Sequence, residues 1–366
     1  MAKILLTVSG EIDPQTEEKI ARGERPLADY IAMARGFPAD LIDYKTARTI
    51  GGWIGKLLDK IGGPNLMLAW ACFVQRRKYQ VLFTDGEQVG LPLALLLKVA
   101  GGKQRPRHSM IAHRISVRKK MIFLDLLRVH SHIDLFFVYS TWQAEFIRTR
   151  WKRPAGKVIY TPFMVDACFF SSEQAPMNAS PGALYGSHGP VISAVGLEYR
   201  DYPTLMDAVR GLPVQAVLAA ASPWSKQRDS TTGTQVPENV LVRRFSQYEL
   251  RELYAASRFV VMPLYSVDYQ AGVTAILEAM AMGKAVICTR TPGQTDVIVE
   301  GENGLYVEPG DPGSMRSAIQ WLLEHPQEAD RMGSNGRRLV EQEMSLEQYV
   351  PRLASLIESI TLDGKI

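Results

Sequence analysis

Short, mostly apolar segments alternate with helix-length segments along the chain, and this alternation most limits the folds that the sequence can adopt. In the first half the apolar segments are residues 4–8, 81–84, 110–112, 135–139 and 158–160. In the second half they are residues 191–195, 214–219, 240–242, 259–262, 285–288 and 304–307. Strands that are apolar on both faces are typical of parallel sheets covered by helices. The sequence therefore predicts an α/β fold built from βαβ units.

The length predicts two domains. A chain of 366 residues exceeds the roughly 250 to 300 residues at which a single core stops growing. A stretch rich in Ser, Pro and Gly, without apolar periodicity, follows residue 170. We therefore predict a first domain at 1–170, a linker at 171–190, a second domain at 191–345, and a final helix at 346–366 that packs back toward the first domain. Ligands bind beyond the carboxyl ends of the strands in doubly wound sheets, so we expect the active site in a cleft between two facing domains.

Composition excludes several classes of protein. The most apolar stretches, residues 66–74 and 91–97, are shorter than the ~20 residues of a membrane-spanning helix. Residues 1–10 indicate a first strand rather than a targeting segment. Cys72, Cys168 and Cys288 are far apart and form no CxxC pair, which indicates neither disulfides nor zinc and favours a cytoplasmic location.

Charge is distributed unevenly between the two halves. Residues 1–170 hold 26 Lys and Arg against 15 Asp and Glu, a net +11, whereas the remainder carries a net −7. Residues 98–120 contain no acidic residue, and residues 142–153 combine two Trp with four basic residues. Basic residues beside aromatics predict contact with an anionic membrane surface, and we expect no nucleic acid partner. A solvated basic face is the alternative.

Residues 263–288 carry the most informative motif. A strand ends at Pro263, an irregular loop follows, and a helix begins near Gly272. Such a junction exposes backbone N–H groups at the positive end of a helix dipole, where a diphosphate can bind. Glu278 lies one i to i+4 step beyond Thr274 and can accept hydrogen bonds from two vicinal hydroxyls of a ribose. The residue types alone leave open a solvated or capping Glu278.

The motifs resemble a known family. Residues 270–283, 291–296 and 302–311 look like the donor half of the family 4 retaining glycosyltransferases, which have the GT-B fold of two facing Rossmann-like domains. Weaker similarity extends through residues 193–196, Ser140 and residues 161–166, and covers most of the chain from about Asp85. The resemblance implies a hexosyltransferase-like enzyme that uses a nucleoside-diphosphate sugar, needs no metal or other cofactor, and proceeds with retention at the anomeric carbon.

The resemblance also implies a donor site in the second half. The family has Glu-x7-Glu in this loop, with the second Glu on the ribose; Glu278 matches it, but the first Glu is Gln270 here. That departure leaves the sugar open and bears on activity, although an amide can still hold hydroxyls. The family also has an Arg directly after the glycine of the first strand, and this chain has no Arg directly after Gly196. Arg200 is therefore expected to stabilise the leaving nucleotide. The alternative interpretation of Arg200 is a salt bridge at the surface. Phe245 is expected at the base, and the diphosphate is expected to contact Ala271, Gly272, Val273 and Thr274.

In the first half, the resemblance places a functional His113 at the end of a strand, facing the donor sugar. A lone His is otherwise more often structural. Asp85 and Glu87 are expected on the acceptor or sugar side, and Gly10 beneath the pyrophosphate. The acceptor is open between a lipid-linked and a saccharide molecule, and the location is cytoplasmic or peripheral at the inner face of the membrane. The alternatives are a nucleotide-sugar-binding protein that has lost catalysis, and an epimerase or phosphorylase of the same fold.

Overall fold

The computed structural model describes residues 3–102, 104–174, 185–186, 188–220 and 235–362. The chain forms two compact units. The first comprises Met1–Glu18, Leu27–Pro162 and Glu347–Ile366, and the second comprises Lys19–Pro26 and Phe163–Leu346. The chain thus leaves the first unit, builds the second, and returns to the first with its last helix.

A six-stranded parallel sheet forms the centre of the first unit. Its strands are β1 (Ile4–Thr7), β2 (Ala39–Ile42), β3 (Val81–Thr84), β4 (Arg107–Ala112), β5 (Leu135–Val138) and β6 (Val158–Tyr160). They lie in the order β2-β1-β3-β4-β5-β6, and all neighbours are parallel. The chain order reverses direction at β1, which places a switch point between β1 and β3.

Helices of the first unit cover this sheet. Those before β5 are α1 (Thr16–Ala21), whose last three residues group with the second unit, α2 (Asp29–Gly36), α3 (Tyr44–Ile50), α4 (Gly52–Gly62), α5 (Pro64–Gln75), α6 (Glu87–Ala100) and α7 (Arg118–Asp125). The helix after β5 is α8 (Thr141–Trp151). One apolar cluster packs α5 and α6 on β1 and β3, and another packs α8 on β4 and β5.

The second unit contains a second six-stranded parallel sheet. Its strands are β7 (Val191–Val195), β8 (Gln215–Ala219), β9 (Val240–Val242), β10 (Val260–Met262), β11 (Val286–Thr289) and β12 (Gly304–Val307). Their order is β12-β11-β10-β7-β8-β9, with a switch point between β7 and β10. The buried residues of β7, β8, β10 and β11 form apolar cores on both faces of this sheet.

The helices of the second unit begin with α9 (Tyr202–Val209), α10 (Gln247–Ala256) and α11 (Val273–Ala281). They continue with α12 (Pro312–Glu324) and α13 (Pro326–Leu339), and the chain then passes through a π-helical turn at Val340–Met344. The final helix is α14 (Leu346–Leu362), most of which belongs to the first unit. Within the first unit, the Tyr349 hydroxyl of α14 lies 2.9 Å from the buried Tyr139 hydroxyl.

The predicted strands are present, with ends that differ by a few residues, and β2 was not predicted. β2 is an edge strand whose first three residues are not fully buried, so it has no continuous apolar run. Residues 163–170, predicted with the first domain, group with the second unit. Val165 forms a bridge with Ser345, and the carbonyls of Ala167 and Phe170 accept from Arg337 at 3.0 and 2.8 Å.

The predicted linker at 171–190 lies largely outside the described residues. The part that is described includes a short 3-10 turn at Ser172–Gln174. Within the described ranges, every helix is too short or too polar to cross a membrane.

Candidate functional site

In the second unit, Arg200 lies at the carboxyl end of the central strand β7. Gly196 follows that strand with a φ of +105°, and a side chain there would collide with the Arg200 guanidinium. Arg200 donates from Nε to the Val195 carbonyl at 2.8 Å and from Nη1 to the Glu198 carbonyl at 2.7 Å. Burial lowers its pKa, but an arginine keeps its charge. The guanidinium is therefore a buried, permanently charged group. The alternative interpretation of Arg200, a salt bridge at the surface, is wrong because the side chain is buried.

The start of α11 lies beside this charge. Gly272 is its N-cap, with a φ of +80° and no side chain to cap the helix. A Cβ on Gly272 would lie 3.1 Å from Arg200 Nη2 and 2.8 Å from Met262 Sδ, so a side chain here would have to displace both of these side chains. The first amides of a helix have no intrahelical acceptor, and they attract anions. The amides of this first turn, of which that of Val273 makes a long contact of 3.5 Å with the Gln270 carbonyl, lie beside the Arg200 guanidinium, an arrangement that can bind an anion.

Glu278 is buried one and a half turns into α11. Its Oε2 accepts a hydrogen bond of 2.8 Å from the Tyr254 hydroxyl, and no hydrogen bond from a described residue reaches Oε1. Burial raises the pKa of Glu278 to about 7, although the Tyr254 hydroxyl and the Arg200 charge act in the opposite direction. One carboxylate oxygen is therefore available to a ligand hydroxyl.

A second segment holds the loop before α11. Gly293 packs so closely on the Tyr269 backbone that a Cβ would overlap it, and its N–H donates to the Val267 carbonyl at 3.2 Å. Gln294 is buried, and its Nε2 donates to the Ala271 carbonyl at 3.1 Å. Both contacts fix the conformation of residues 267–271.

Three buried polar atoms near this loop have no hydrogen-bond partner among the described residues. These three, Gln270 Oε1, Thr291 Oγ1 and Gln294 Oε1, belong to neutral side chains, and the same loop also carries the Asp268 carboxylate. Buried polar atoms in proteins are nearly always paired with protein, water or ligand. The loop therefore has the capacity to accept hydrogen bonds from a hydroxyl-rich molecule.

The other predicted donor residues have different environments. Ala271 and Val273 are buried, so they offer only their backbone, whereas Thr274 is exposed. Phe245 is half-buried after β9, with the Arg243 guanidinium 4.5 Å from its ring centroid. An aromatic ring at this position can stack on a planar group.

In the first unit, Asp85 connects the carboxyl ends of β1 and β3. Its carboxylate accepts from the Thr7 hydroxyl at 2.7 Å and from the Ser9 amide at 2.8 Å. Gly10, predicted beneath a pyrophosphate, closes a turn through its N–H to the Val8 carbonyl at 2.9 Å. Asp85 thus fixes the loop that contains Gly10.

His113 follows β4 and is exposed. Its Nε2 lies 2.8 Å from the Asp85 carbonyl oxygen, and its ring centroid lies 5.5 Å from that of Tyr139. Because a carbonyl oxygen can only accept, Nε2 carries the hydrogen in this contact, and Nδ1 is the acceptor of the neutral ring. The structure thus brings together His113, Asp85 and the Gly10 loop at one edge of the first sheet.

Glu87 has a different environment from the one predicted. It is buried at the first turn of α6, and its carboxylate accepts from the amides of His113 at 2.8 Å and Arg114 at 3.1 Å. Lys120 completes the set with a contact of 2.6 Å. Burial raises the pKa of Glu87, but the charges of Lys120 and His113 outweigh it and lower the pKa overall. Since both oxygens have protein donors, Glu87 positions the His113 backbone and is not an exposed acceptor-side group.

The basic tracts at 98–120 and 142–153 are largely engaged in contacts within the first unit. Arg105 and Arg107 contact the Asp134 carboxylate at 2.7 and 3.2 Å. In the second tract, Arg150 pairs with Asp125 at 2.8 Å, and the buried Trp151 donates to the same carboxylate. Lys103 lies outside the described residues. These tracts therefore offer fewer free cations than their composition indicates.

Sequence reasoning missed Tyr254, Thr291 and Gln294. Tyr254 stands on α10, 24 positions before Glu278, and nothing in the spacing connects the two. Gln294 lies inside the motif at 291–296, so its position in that motif was the available signal. Within the part of the chain that is described, His, Cys, Asp and Glu form no group of three or more that could hold a metal ion.

Comparison with known proteins gives matches to glycosyltransferases. Residues 220–339 match the family model described as glycosyl transferases group 1. The D-rhamnosyltransferase WbpZ of Pseudomonas aeruginosa is 30% identical over 139 residues, which are 37% of this chain and 36% of that protein. The chain thus spans little more than a third of that relative's length.

Solved structures resemble the chain along nearly its whole length. HepE of Anabaena, in complex with UDP and glucose, has a TM-score of 0.73 at 15% identity and covers 98% of this chain and 100% of its own. Sucrose-phosphate synthase of Thermosynechococcus elongatus has a TM-score of 0.73 at 18% identity, with 99% and 100% covered. With the two parallel sheets, these likenesses confirm the predicted α/β fold of the GT-B class.

Proposed function

We propose that this protein is a glycosyltransferase that moves a sugar from a nucleoside diphosphate to an acceptor hydroxyl. The observation that carries the proposal is the Arg200 guanidinium packed against Gly272 at the uncapped start of α11. The match of residues 220–339 to glycosyl transferases group 1 covers this helix and supports the same activity.

The anion site would bind the diphosphate and stabilise it as it leaves. Negative charge grows on the diphosphate as the bond to the anomeric carbon breaks, and a preorganised cation with helix amides stabilises that charge. Arg200 and the amides of Val273 and Thr274 would supply this stabilisation, with no bound metal or other cofactor. HepE was solved with UDP, which supports a uridine nucleotide as the first donor to test.

Glu278 and Phe245 would bind the nucleoside. The free Oε1 of Glu278 would accept from a ribose hydroxyl, while Phe245 would lie beside the base. The Tyr254 hydroxyl holds the other carboxylate oxygen and so fixes its orientation. Ribose binding would favour the charged carboxylate, because a hydrogen bond to an ionised acceptor is stronger.

The sugar would be bound by neutral acceptors. Gln270 Oε1, Thr291 Oγ1 and Gln294 Oε1 would accept from its hydroxyls, and Gln270 would replace the family carboxylate. We further propose membership of family 4, a hexosyl donor and retention, in which the acceptor attacks from the face that the diphosphate leaves. Positioning of the two reactants would then contribute most of the rate.

His113 would act on the sugar near the reacting carbon. We expect His113→Ala to lower transfer at least tenfold and to leave nucleotide affinity nearly unchanged, because the contacts proposed for Arg200, Glu278 and Phe245 with the nucleotide lie in the second unit. Initial rates and calorimetric titration with the nucleoside diphosphate measure the two effects. Equal loss of rate and affinity, with a lower melting temperature, would assign His113 a structural role only.

On the acceptor side, we propose a lipid-linked or saccharide acceptor and a cytoplasmic protein that attaches to an anionic membrane surface at its inner face. The wide sequence spacing of Cys72, Cys168 and Cys288, with no CxxC pair, supports a reducing compartment. A nucleotide-sugar-binding protein without turnover is the second candidate, and the observation that favours it is Gln270 at the family carboxylate position.

The test is slow hydrolysis of a panel of nucleotide sugars, which identifies the donor without knowledge of the acceptor. We expect one donor to be hydrolysed, and we expect Glu278→Ala to weaken nucleoside diphosphate binding by about 2 kcal/mol, because ribose contacts are lost. Glu324→Ala, an exposed carboxylate in the same unit, is the control and should bind normally. Tight binding with no hydrolysis would favour the second candidate, and no binding of any donor would reject both.

A further inference from the structure

We propose that one face of α4 is a docking surface for an anionic lipid bilayer. The inference rests on the proposed function for its purpose, the presentation of a membrane-proximal acceptor, but the docking itself requires no transfer. This inference assigns the membrane contact to α4, which the composition did not indicate, and not to the two basic tracts at 98–120 and 142–153.

Three large apolar side chains form an exposed stripe on α4. Trp53, Leu57 and Ile61 follow one another at intervals of four residues, and they are 76%, 48% and 72% exposed. On the opposite side, Gly55 is buried, and a Cβ there would lie 3.7 Å from Met67 and from Trp70 of α5. The helix is thus anchored by its buried face while its apolar stripe points away from the unit.

Lysines run beside this stripe. Lys56 and Lys60 each precede a stripe residue by one position, both are exposed, and no described carboxylate pairs with either. Asp59, the acidic residue of α4, is half-buried and lies 4.0 Å from Arg48. The exposed face of α4 is therefore apolar and cationic.

The segment that follows α5 adds positive charge near α4. The helices α4 and α5 are antiparallel, and Trp70 of α5 donates to the Gly51 carbonyl at 3.2 Å. The 3-10 turn Arg76–Lys78, which follows α5, therefore lies at the end of the pair where α4 begins. All three residues of this turn are basic.

An anionic bilayer fits this chemistry better than water or a neutral protein surface. An in-plane amphipathic helix buries Trp and aliphatic side chains at the level of the headgroups, while lysines extend their ammonium groups to lipid phosphates. The 11 residues of α4 span about 16 Å, half the hydrocarbon thickness, so the helix would lie flat. Contiguous exposed apolar residues at helical spacing indicate a binding surface.

Co-sedimentation of the full chain with vesicles tests the proposal. We expect binding to vesicles of phosphatidylcholine and phosphatidylglycerol in equal parts, and much weaker binding to phosphatidylcholine alone. Trp53→Gln/Leu57→Gln should lower the partition coefficient about a hundredfold, because two apolar side chains no longer enter the bilayer. Lys56→Gln/Lys60→Gln should lower binding to the anionic vesicles roughly thirtyfold and reduce, without abolishing, the preference between the two vesicle types, because the basic turn Arg76–Lys78 remains.

Val299→Gln, which changes an exposed apolar residue of the second unit, is the matched control and should bind vesicles normally. All variants should keep the melting temperature and the nucleotide affinity of the parent, which separates this test from the test of transfer. Unchanged vesicle binding by Trp53→Gln/Leu57→Gln would overturn the proposal. The proposal would also be overturned if the parent protein did not bind vesicles at all. In that case, a parent that is a dimer and a Trp53→Gln/Leu57→Gln variant that is a monomer would show that the stripe contacts a second copy of the chain instead.

Discussion

The Glu278 carboxyl links the structure of the second unit to pH. In the folded protein burial raises its pKa to about 7 from an ordinary value of 4.5. An acid whose pKa is raised by folding destabilises the fold as it ionises, because the folded state holds the proton more tightly than the unfolded state. This penalty is absent below about pH 4.5, grows between 4.5 and 7, and is complete above about 7.

We therefore predict that Glu278→Gln stabilises the free protein at pH 8, by up to about 3 kcal/mol, and that the gain disappears near pH 4.5. Thermal melts of parent and variant across this range measure the difference. The same substitution should weaken nucleotide binding at pH 8, since the charged acceptor is lost. A pH-independent difference in melting temperature would show that Glu278 is already ionised at pH 5.

Sequence reasoning anticipated the local structure around some candidate residues and misjudged the environment of others, for identifiable reasons. Gly272 and Glu278 could be predicted because a local motif specifies the loop-to-helix junction. Glu87 was assigned to the acceptor side, but it is enclosed by the amides of the β4 end and by Lys120. Its partners are 26 to 33 positions away along the chain, and sequence spacing does not specify them.

At the level of elements, the loop before α11 depends on a second loop for its shape. Gly293 lies against the Tyr269 backbone with no space for a methyl group. The observed conformation of residues 267–271 therefore requires glycine at this position. An added Cβ must displace backbone rather than a flexible side chain, which is the costly kind of overlap.

We predict that Gly293→Ala lowers the free energy of unfolding by about 1 to 3 kcal/mol and weakens nucleotide binding at least tenfold. Denaturant titration and calorimetry measure the two effects. Thr295→Ala, an exposed neighbour, is the control and should change neither. If Gly293→Ala bound nucleotide as tightly as the parent, the loop would not need this contact.

Elements were predictable in proportion to how completely they are buried. The central strands are apolar on both faces, so their sequences mark them directly, whereas the edge strand β2 is interrupted by the exposed Asp40 and was missed. The N-cap at Asp311 could be predicted from the adjacent proline, and its side chain accepts from the amides of Gly313 and Ser314. The α4 stripe was not predicted, since composition does not reveal which face of a helix remains uncovered.

For the whole molecule, the first unit is completed by a helix from the end of the chain. Tyr139 and Tyr349 are both buried, and their hydroxyls form a pair at the carboxyl end of β5. Residues 162 and 347, where the chain leaves and re-enters the unit, are separated by nearly the entire second unit. Part of the stability of the first unit therefore depends on residues distant in sequence.

We predict that Tyr139→Phe and Tyr349→Phe each lower the free energy of unfolding by about 1 kcal/mol, and that the double variant loses less than the sum. The non-additivity arises because the first substitution already removes the shared hydrogen bond. Denaturant titrations of the four proteins measure the coupling, with Tyr248→Phe in the second unit as control. Strict additivity would show that the two hydroxyls do not interact.

The return of α14 to the first unit also sets an order of events during synthesis. The ribosome produces the first sheet before the second, yet the partner of Tyr139 follows it by 210 residues. At a translation rate of about 5 to 20 residues per second, about 10 to 40 seconds pass between the synthesis of Tyr139 and that of α14. The first unit is incomplete during this time. The second unit, whose strands are all made before α14, can fold while the first is incomplete. We therefore expect chaperones to bind the first unit of the nascent chain until α14 has been synthesised.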